Sequence, residues 1–378
     1  MGISDTLAIS KLAVEGLRGL TDVVESMHGT IASFSPIVGA PPEATTRGLT
    51  RLVYLTIRGA TSLVGAGIDL AGSLAGPGGD EPSASPRREM WLAALNGIVG
   101  DHLVASNNPL ALPMRLHVTG THTGRILVMV HGSCASYLHW TRNGRDHGAL
   151  LAASHGFTPV YASYNSGRHI STNGRELAAA IESLVATWPV PVEQIVLVGH
   201  SMGGLISRAA CEYAAGHTWR SSLTHLITLG SPHHGAPLER IGNIAQTVLS
   251  ISPYAAPIAR LGGLRSAGVT DLRFGNVRDE DWNDVDGAHR HDPRALLPLP
   301  PTVKSYAVAA TLGNAVGDAI DRLRGDGMVP VASALGQHDD PAFALAFPPQ
   351  HTQVVTKTGH LDLLDSVAVY DQLARWLA

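Results

Sequence analysis

The sequence predicts an α/β protein: a doubly wound, mostly parallel sheet with a helical cap insertion and an N-terminal helical extension. From about residue 88, short apolar runs rich in β-branched residues alternate with helical stretches, which is typical of strands joined by crossover helices. The runs are continuously apolar, as expected for strands buried on both faces. Composition agrees, because 378 residues with 44% hydrophobic side chains, 41 Gly and 23 Pro provide a large core and many turns.

The first 72 residues predict an N-terminal helical hairpin. Apolar residues recur at spacings of three and four within 6–27 and again within 43–71, as on one face of an amphipathic helix. Residues 73–87 are rich in Gly, Pro and Ser, lack apolar periodicity and predict a linker. Residues 88–378 therefore form the predicted main domain.

The main domain begins with a predicted helix at about 88–104 and continues with the alternating strands and helices. The predicted strands are 115–118, 126–130, 159–163, 195–198, 226–229, 305–309 and 353–356, and the helices between them include 173–188, 202–215 and 362–377. The alternation pauses over 237–300. Insertions of this length in a doubly wound fold are usually functional, so we expect a cap over a site.

Charge and cysteine content exclude several classes of function. The formal net charge is −4, and the 27 basic residues include only three lysines, Lys11, Lys304 and Lys357, with no basic cluster. Nucleic-acid binding is therefore not expected. Two cysteines, Cys134 and Cys211, are too few for a disulfide framework, and we expect free thiols.

Neither a secretory signal peptide nor a membrane span is expected. Lys11 and Glu15 interrupt the apolar run that a signal peptide needs. The longest apolar segment, 49–71, is broken by Arg58 and Asp69, whereas a span needs about 20 apolar residues. The sequence thus predicts a cytoplasmic protein.

The strongest chemical signal is a GxSxG motif, Gly199 to Gly203, which follows a predicted buried strand and precedes a predicted helix. A nucleophile elbow requires that context. A serine on so tight a turn has a strained backbone, and small residues two positions away on either side avoid a collision. The motif predicts Ser201 as a nucleophile that needs a base, because a free hydroxyl reacts poorly at neutral pH.

A second signal is the His-Gly pair that follows the strand predicted at 126–130. In hydrolases of this architecture that loop provides one backbone N–H of an oxyanion hole, and the residue after the nucleophile provides the other. The predicted donors are the amide of Met202 and that of Ser133 or its neighbour Cys134, with Ser133 preferred. The ring of His131 is expected to be structural.

The base is chosen among 19 histidines by its position in the chain. In this architecture the order is Ser, acid, His, with the His on the loop after the last strand. His360 meets that requirement. His351 precedes the last strand and lies on the wrong side of it. His233 and His234 precede any plausible acid, and we expect them to be structural or to line a pocket.

The acid is predicted to be Asp326, which lies between two glycines on a turn 34 residues before His360. From such a turn a carboxylate can reach an imidazole, fix its tautomer and stabilise the imidazolium that forms during attack. The alternatives are Asp318, Asp321 and Asp339.

Taken together, five segments resemble an α/β-hydrolase of the lipase and GPI inositol-deacylase-like type, over roughly residues 115–378. They are VLVGHSMGG, the HG pair, LGSPHHG, GDGMVPVASA and TGHLDLL. The resemblance implies the α/β-hydrolase fold. It also implies Ser201 as nucleophile, Asp326 as acid, His360 as base and the amides of Ser133 and Met202 as oxyanion hole, with no metal or organic cofactor.

The predicted function is therefore a serine esterase or lipase that cleaves carboxylic esters through an acyl-enzyme. An amidase, a thioesterase or a polyester depolymerase would use the same triad, because these reactions share a tetrahedral intermediate. An alternative of another class is a non-catalytic binding protein on a hydrolase scaffold. The substrate is expected to be a small-molecule or lipid ester.

Further expectations concern the surroundings of the site. The predicted substrate contacts are Tyr137, Leu138 and Trp140 after the oxyanion loop and Leu249, Ile251 and Ile258 in the cap. The acidic segment 279–292 fits no defined cation motif and is expected to be a solvated face of the cap, with calcium binding as the alternative.

The N-terminal helices, residues 1–72, have two alternative roles, which are peripheral membrane contact and packing on the main domain or in a homodimer. Residues 1–90 hold seven basic and nine acidic side chains. That balance is the opposite of a polybasic membrane patch and favours packing.

Overall fold

The computed structural model describes Ser10 and residues 85–236, 266–283 and 296–378. The predicted hairpin of residues 1–72 apart from Ser10, most of the predicted linker and large parts of the predicted cap lie outside those residues. The chain forms two compact units, one of residues 1–88 and 106–110 and the other of residues 89–105 and 111–378. The fold described below belongs to the second unit.

The helices and strands alternate along the described chain. In chain order they are α1 (Pro86–Ala105), β1 (Arg115–Val118), β2 (Arg125–Val130), β3 (Thr141–Arg142), β4 (Arg145–Asp146), α2 (His147–His155), β5 (Thr158–Ser163), α3 (Ile170–Ala186), β6 (Gln194–His200), α4 (Met202–Tyr213), β7 (Leu223–Leu229), α5 (Ala267–Asp271), α6 (Glu280–Asn283), β8 (Lys304–Thr311), α7 (Ala319–Arg324), α8 (Val331–Ala334), β9 (Thr352–Thr356) and α9 (Val367–Leu377). Short 3₁₀ turns lie at Tyr137–Trp140, Thr218–Ser222, Pro349–His351 and Leu361–Leu364.

Seven of the strands form one twisted sheet in the order β1-β5-β2-β6-β7-β8-β9. All pairs are parallel except β1 with β5, where Arg115 lies opposite Ser163. Strands β3 and β4 form a separate small hairpin. Each predicted strand overlaps an observed one, so the predicted doubly wound, mostly parallel α/β fold is confirmed.

The two faces of the sheet are covered by different helices, as the period of two along a strand requires. In β2, Ile126, Val128 and Val130 are buried in one core cluster together with residues of α3 and α4. The alternate residues Leu127 and Met129 are buried in a second cluster with residues of α2 and α9. Burial on both sides explains why these strands are continuous apolar runs.

The last predicted helix, 362–377, is shorter in the structure. Leu361–Leu364 forms a 3₁₀ turn, and α9 begins only at Val367. The interruption is at Asp365, whose φ of −132° is not helical, while its carboxylate accepts a hydrogen bond from Asn143 Nδ2 at 2.6 Å. A contact distant in sequence therefore overrides the local helical pattern.

Helix α1 packs closely on the loops that follow β2 and β5. A Cβ on Gly97 would lie 2.2 Å from Cys134 Sγ, and one on Gly100 would lie 1.8 Å from Asn165 Oδ1. The Asn165 amide also donates to the Gly100 carbonyl at 2.8 Å. Close backbone approach of this kind requires glycine. None of the helices in the described part of the chain has the length and apolar character needed to span a membrane.

Candidate active site

Ser201 lies on a sharp turn between the end of β6 and the start of α4, with φ 55° and ψ −126°. This positive φ is uncommon for a residue with a side chain. The glycines on either side have no room for one. A Cβ on Gly199 would lie 2.3 Å from Gly204 N, and one on Gly203 would lie 2.1 Å from Val130 O. The GxSxG spacing is thus a steric requirement of the turn.

Two backbone hydrogen bonds hold this turn, one to the sheet and one within the start of α4. The Ser201 N–H donates to the carbonyl of Leu229 at the end of β7 at 2.8 Å, and the Gly204 N–H donates to the Ser201 carbonyl at 3.1 Å. Ser201 is 7% exposed. The first bond therefore ties the nucleophile candidate to the carboxyl end of β7, and the second joins it to the start of α4.

His360 and Asp326 form a buried pair at the same edge. His360 Nδ1 lies 2.6 Å from Asp326 Oδ2, with side-chain exposures of 4% and 1%. Because a carboxylate only accepts, the ring donates from Nδ1 and leaves Nε2 as an acceptor. The other carboxylate oxygen, Oδ1, accepts the N–H groups of Met328 and Val329 at 2.9 and 2.7 Å.

The glycines beside Asp326 make this geometry accessible. Gly325 and Gly327 have φ of 54° and 97°, values that favour glycine. A Cβ on Gly325 would also lie 2.2 Å from the Val329 carbonyl. The Asp326 carbonyl accepts the His360 N–H at 3.0 Å, so Asp326 contacts both the backbone and the ring of His360.

His360 Nε2 is buried and has no hydrogen-bond partner among the described residues. The bond from Ser201 Oγ to this nitrogen is therefore not formed in this structure. Both residues nonetheless lie beside the end of β7. The Ser201 N–H is hydrogen-bonded to Leu229, and a Cβ on the next residue, Gly230, would lie 3.2 Å from the His360 ring. Catalytic hydrogen bonds are often long before substrate binds.

The loop after β2 also approaches Ser201 closely. A Cβ on Gly132 would lie 3.0 Å from Ser201 Cβ. The Cys134 N–H donates to Ser166 Oγ at 2.9 Å, so this amide is already engaged. Met202 is the first residue of α4, and its N–H has no acceptor within the helix. Between the two alternatives for the first oxyanion donor, this arrangement favours Ser133.

His131 supports that loop from behind. Its ring stacks on Tyr164 with 4.1 Å between centroids, and the Tyr164 hydroxyl donates to the His131 carbonyl at 2.5 Å. Burial lowers the pKa of His131 to about 3. The ring is therefore neutral, and it packs against Tyr164.

The small β3–β4 hairpin holds the loop that carries His360. Arg142 lies 3.2 Å from Asp362 and 3.6 Å from Asp365, both on the turn after His360. His147, at the start of α2, donates from Nε2 to the Leu363 carbonyl at 3.0 Å. These contacts fix the loop from the side opposite to Asp326.

The predicted substrate contacts differ in their positions. Tyr137 and Leu138 are partly buried, and the Tyr137 ring stacks on His117 at 4.1 Å. Trp140 is 1% exposed and packs in the core under the site, so its ring supports the site and does not line an open surface. Leu249, Ile251 and Ile258 lie outside the described residues.

The alternative histidines and carboxylates have other partners. His233 contacts Thr228 and Arg208, and His351 contacts the Ser305 carbonyl near the amino end of β8. Asp318 caps α7, Asp321 accepts the Gly317 N–H, and Asp339 is exposed. The His360 ring is bonded to Asp326 alone of the acids considered.

Sequence reasoning missed the contact between His200 and His360. His200 Nε2 donates to the His360 carbonyl at 3.0 Å. The only signal for it in the sequence is the position of His200 inside the GxSxG motif, directly before the serine.

Within the described residues, no group of three or more His, Cys, Asp or Glu side chains could hold a metal ion. In the acidic segment, Asp279 is paired with Arg175, and Asp281 accepts the N–H groups of Val277 and Arg278. Residues 284–292 of that segment lie outside the described chain.

Residues 121–293 match the model of the PGAP1-like alpha/beta domain family, which confirms the predicted resemblance. The matched range contains Ser201 and the His-Gly loop but neither Asp326 nor His360. No curated protein is significantly similar to this chain in sequence.

Solved structures with a similar fold include three bacterial enzymes. The mature lipase BlEst2 of Bacillus licheniformis has 19% identity and a TM-score of 0.45, covering 71% of this chain and 99% of its own. A thermophilic esterase from Thermogutta terrifontis has 17% identity and a TM-score of 0.39, covering 70% and 92%. Naproxen esterase from Bacillus subtilis has 14% identity and a TM-score of 0.40, covering 79% and 100%.

Proposed function

We propose that this protein is a serine hydrolase that cleaves carboxylic esters through an acyl-enzyme. In the first step Ser201 Oγ attacks the ester carbonyl carbon while its proton passes to His360 Nε2. Asp326 keeps the ring in the tautomer with Nε2 free and stabilises the imidazolium that forms. The buried carboxylate, held by two backbone N–H groups, stays in place during this transfer.

The negative charge that develops on the carbonyl oxygen is stabilised by the N–H groups of Ser133 and Met202. Both belong to backbone that is already fixed, one beside Gly132 and the other at the N-terminus of α4. Donors that need no rearrangement stabilise a transition state most effectively. The tetrahedral intermediate then collapses, His360 returns its proton to the leaving alkoxide, and the alcohol departs.

Hydrolysis of the acyl-enzyme repeats the same proton transfers with water as the nucleophile. His360 takes a proton from water as its oxygen attacks the acyl carbon, and gives a proton to Ser201 Oγ when the carboxylic acid leaves. The balance needs only ester and water, and no step requires a metal or an organic cofactor.

The observation that carries this proposal is the buried bond from His360 Nδ1 to Asp326, with the opposite ring nitrogen unpartnered. A buried polar atom without a partner is unfavourable and is rare in proteins. The unpartnered atom of His360 is the one that a general base uses. Other histidines, among them His139 and His147, also have a buried ring nitrogen without a partner. Among the described residues, His360 alone combines such a nitrogen with a bond from the ring to a carboxylate.

The test combines covalent labelling with hydrolysis of p-nitrophenyl esters. A fluorophosphonate probe should label the wild-type protein at Ser201, and Ser201→Ala should abolish labelling and lower kcat by about 10⁴ to 10⁶. Ser207→Ala is the matched control. Ser207 is a buried serine on α4, the helix that follows Ser201, and its hydroxyl donates to the Gly203 carbonyl. Labelling of the Ser201→Ala variant, or no labelling of wild type, would contradict the proposal and favour a binding protein.

Substrates with matched acyl groups distinguish the remaining hydrolases. An ester, a thioester and an anilide of the same acid differ only in the leaving group, so their kcat/KM values rank the alternatives directly. We expect the ester to be preferred over the anilide. A preference for the amide or the thioester would assign the same triad to an amidase or a thioesterase.

We also propose that the substrate is a small-molecule or lipid ester whose acyl chain contacts Tyr137 and Leu138. We further propose that residues 1–72 take part in membrane contact or in a homodimer. Liposome flotation and sedimentation of the full chain, compared with a chain lacking residues 1–86, separate these two roles.

A further inference from the structure

His200 is a buried histidine that the proposed reaction does not use, although it precedes the nucleophile directly. It is 3% exposed. Its ring centroid lies 4.8 Å from that of His360 and 6.4 Å from that of Trp140. A Cβ on Gly132, in the oxyanion loop, would lie 3.3 Å from His200 Nδ1. One side chain thus contacts both the base and the oxyanion loop.

The hydrogen bonds of His360 show what this contact does. Its N–H donates to the Asp326 carbonyl, its Nδ1–H donates to the Asp326 carboxylate, and its carbonyl accepts from His200 Nε2. Every polar group of His360 except Nε2 is therefore bonded. Asp326 makes two of these bonds, and His200 makes the third.

The third bond joins the base to the nucleophile elbow. Asp326 follows β8 and His360 follows β9, whereas Ser201 follows β6, and His200 is linked to Ser201 by one peptide bond. The backbone of His360 is thus tied to the Ser201 turn by one peptide bond and one hydrogen bond of 3.0 Å. We propose that His200 is a positioning residue that holds His360 at the distance from Ser201 that proton transfer requires.

The protonation state of His200 is suited to this position. Burial and the nearby His360 hold the pKa of His200 well below its usual value. The ring is neutral, with its single proton on Nε2, where the acceptor is a carbonyl. A cation there would oppose formation of the His360 imidazolium, and a neutral donor does not.

The inference rests on the proposed function and is tested with three variants. His200→Leu removes the donor, whereas His200→Gln places an amide N–H near the position of Nε2. His225→Leu is the matched control, because His225 is also a buried histidine of low pKa but lies near the amino end of β7, remote from the site. Each variant is assayed for kcat and KM and for the downfield ¹H NMR signal of the His360 Nδ1–H.

We expect His200→Leu to lower kcat by at least about tenfold and up to about 10²-fold, as displacement of a catalytic group does, with KM little changed. The Nδ1–H signal should broaden or shift. His200→Gln should restore most of kcat and the signal, and His225→Leu should leave both unchanged. If His200→Leu does not fold, His200→Asn replaces it, because its amide is too short to reach the carbonyl.

The outcomes separate the two proposals. Wild-type kcat and an unchanged signal in His200→Leu or His200→Asn would overturn the positioning role, while fluorophosphonate labelling of Ser201 would still support the hydrolase. Loss of kcat to the same extent in His200→Gln as in His200→Leu would also overturn it. Absence of labelling in the wild-type protein would overturn the hydrolase first, and the positioning role with it.

Discussion

The ring of His360 and the carboxylate of Asp326 are joined by a hydrogen bond of 2.6 Å between two side chains that are almost completely buried. The acid is fixed by further bonds from two backbone N–H groups, so it cannot turn away from the ring. The fold therefore holds the carboxylate against the ring and gives the free ring nitrogen a defined direction.

Replacement of Asp326 by Asn should inactivate the protein without unfolding it. The Asn amide is nearly isosteric, but it can present a donor to Nδ1 and so favours the wrong tautomer of His360. We expect kcat for a p-nitrophenyl ester to fall on the order of 10⁴-fold. Asp318→Asn is the control, since Asp318 caps α7. A kcat within tenfold of wild type in Asp326→Asn would exclude this residue as the acid.

Replacement of Ser166 by Ala should weaken the proposed oxyanion hole. The Ser166 hydroxyl accepts the Cys134 N–H, and without it the Cys134 peptide, held at φ 57°, is free to rotate and to turn the Ser133 amide away. We expect a kcat loss of roughly tenfold or more and weaker inhibition by a boronic acid that forms a tetrahedral adduct. Ser183→Ala, on the exposed side of α3, should change neither quantity. Equal inhibition constants for Ser166→Ala and wild type would contradict this role.

Replacement of Gly203 by Ala should destabilise the fold. The new Cβ would lie 2.1 Å from the Val130 carbonyl and 2.4 Å from that of His131, and neither strand end can move freely. We expect the free energy of unfolding to fall by roughly 3 kcal/mol or more. Urea unfolding measures this value. Gly216→Ala, where φ is 88° and nothing lies within 4 Å, should lose only about 1 kcal/mol from backbone strain. Similar losses of unfolding free energy in the two variants would mean that the fold relieves the close contact at Gly203, and this would contradict the prediction.

His225 should make the protein less stable in mild acid. Burial, with Lys304, Arg125 and His351 nearby, lowers its pKa to about 4. Between pH 6.5 and 4 the unfolded chain binds a proton at this residue and the folded chain does not, so stability decreases as pH falls and is unaffected above pH 6.5. At pH 5 this contribution is about 2 kcal/mol.

The measurement is urea unfolding of wild type and His225→Leu at pH 7.5 and pH 5.0. The loss of unfolding free energy between the two pH values should be smaller in the variant by about 2 kcal/mol. The comparison within each protein removes any change in packing caused by the substitution. Equal losses would mean that His225 is protonated in the folded state.

The strands were the most predictable part of the fold. Residues with side chains buried on both sheet faces must be apolar, so β2 and β6 are visible as continuous Val, Ile and Leu runs. The elbow was equally visible, because two glycines at fixed spacing around Ser201 are required by contacts of about 2 Å. Local rules of this kind need no knowledge of the rest of the chain.

Contacts between distant segments were not predictable. The hydrogen bond from the Cys134 N–H to Ser166 joins residues 32 positions apart. The bond from His200 to His360 joins residues 160 positions apart. The same reason explains why the helix expected from residue 362 begins only at Val367, and why Trp140 is buried. No periodicity or motif carries such information, because it depends on how the loops pack at the sheet edge.

The order of the sheet divides the site into two parts. Asp326 follows β8 and His360 follows β9, and within the sheet these two strands join the other five through the β7–β8 pairing. Opening of that ladder, with loss of the contacts that Arg142, His147 and His200 make to the His360 loop, would separate the proposed acid and base from Ser201. The Ser201 turn between β6 and α4 would stay intact. Heat inactivation can therefore precede global melting, and a ligand that bridges both halves would raise the temperature at which activity is lost.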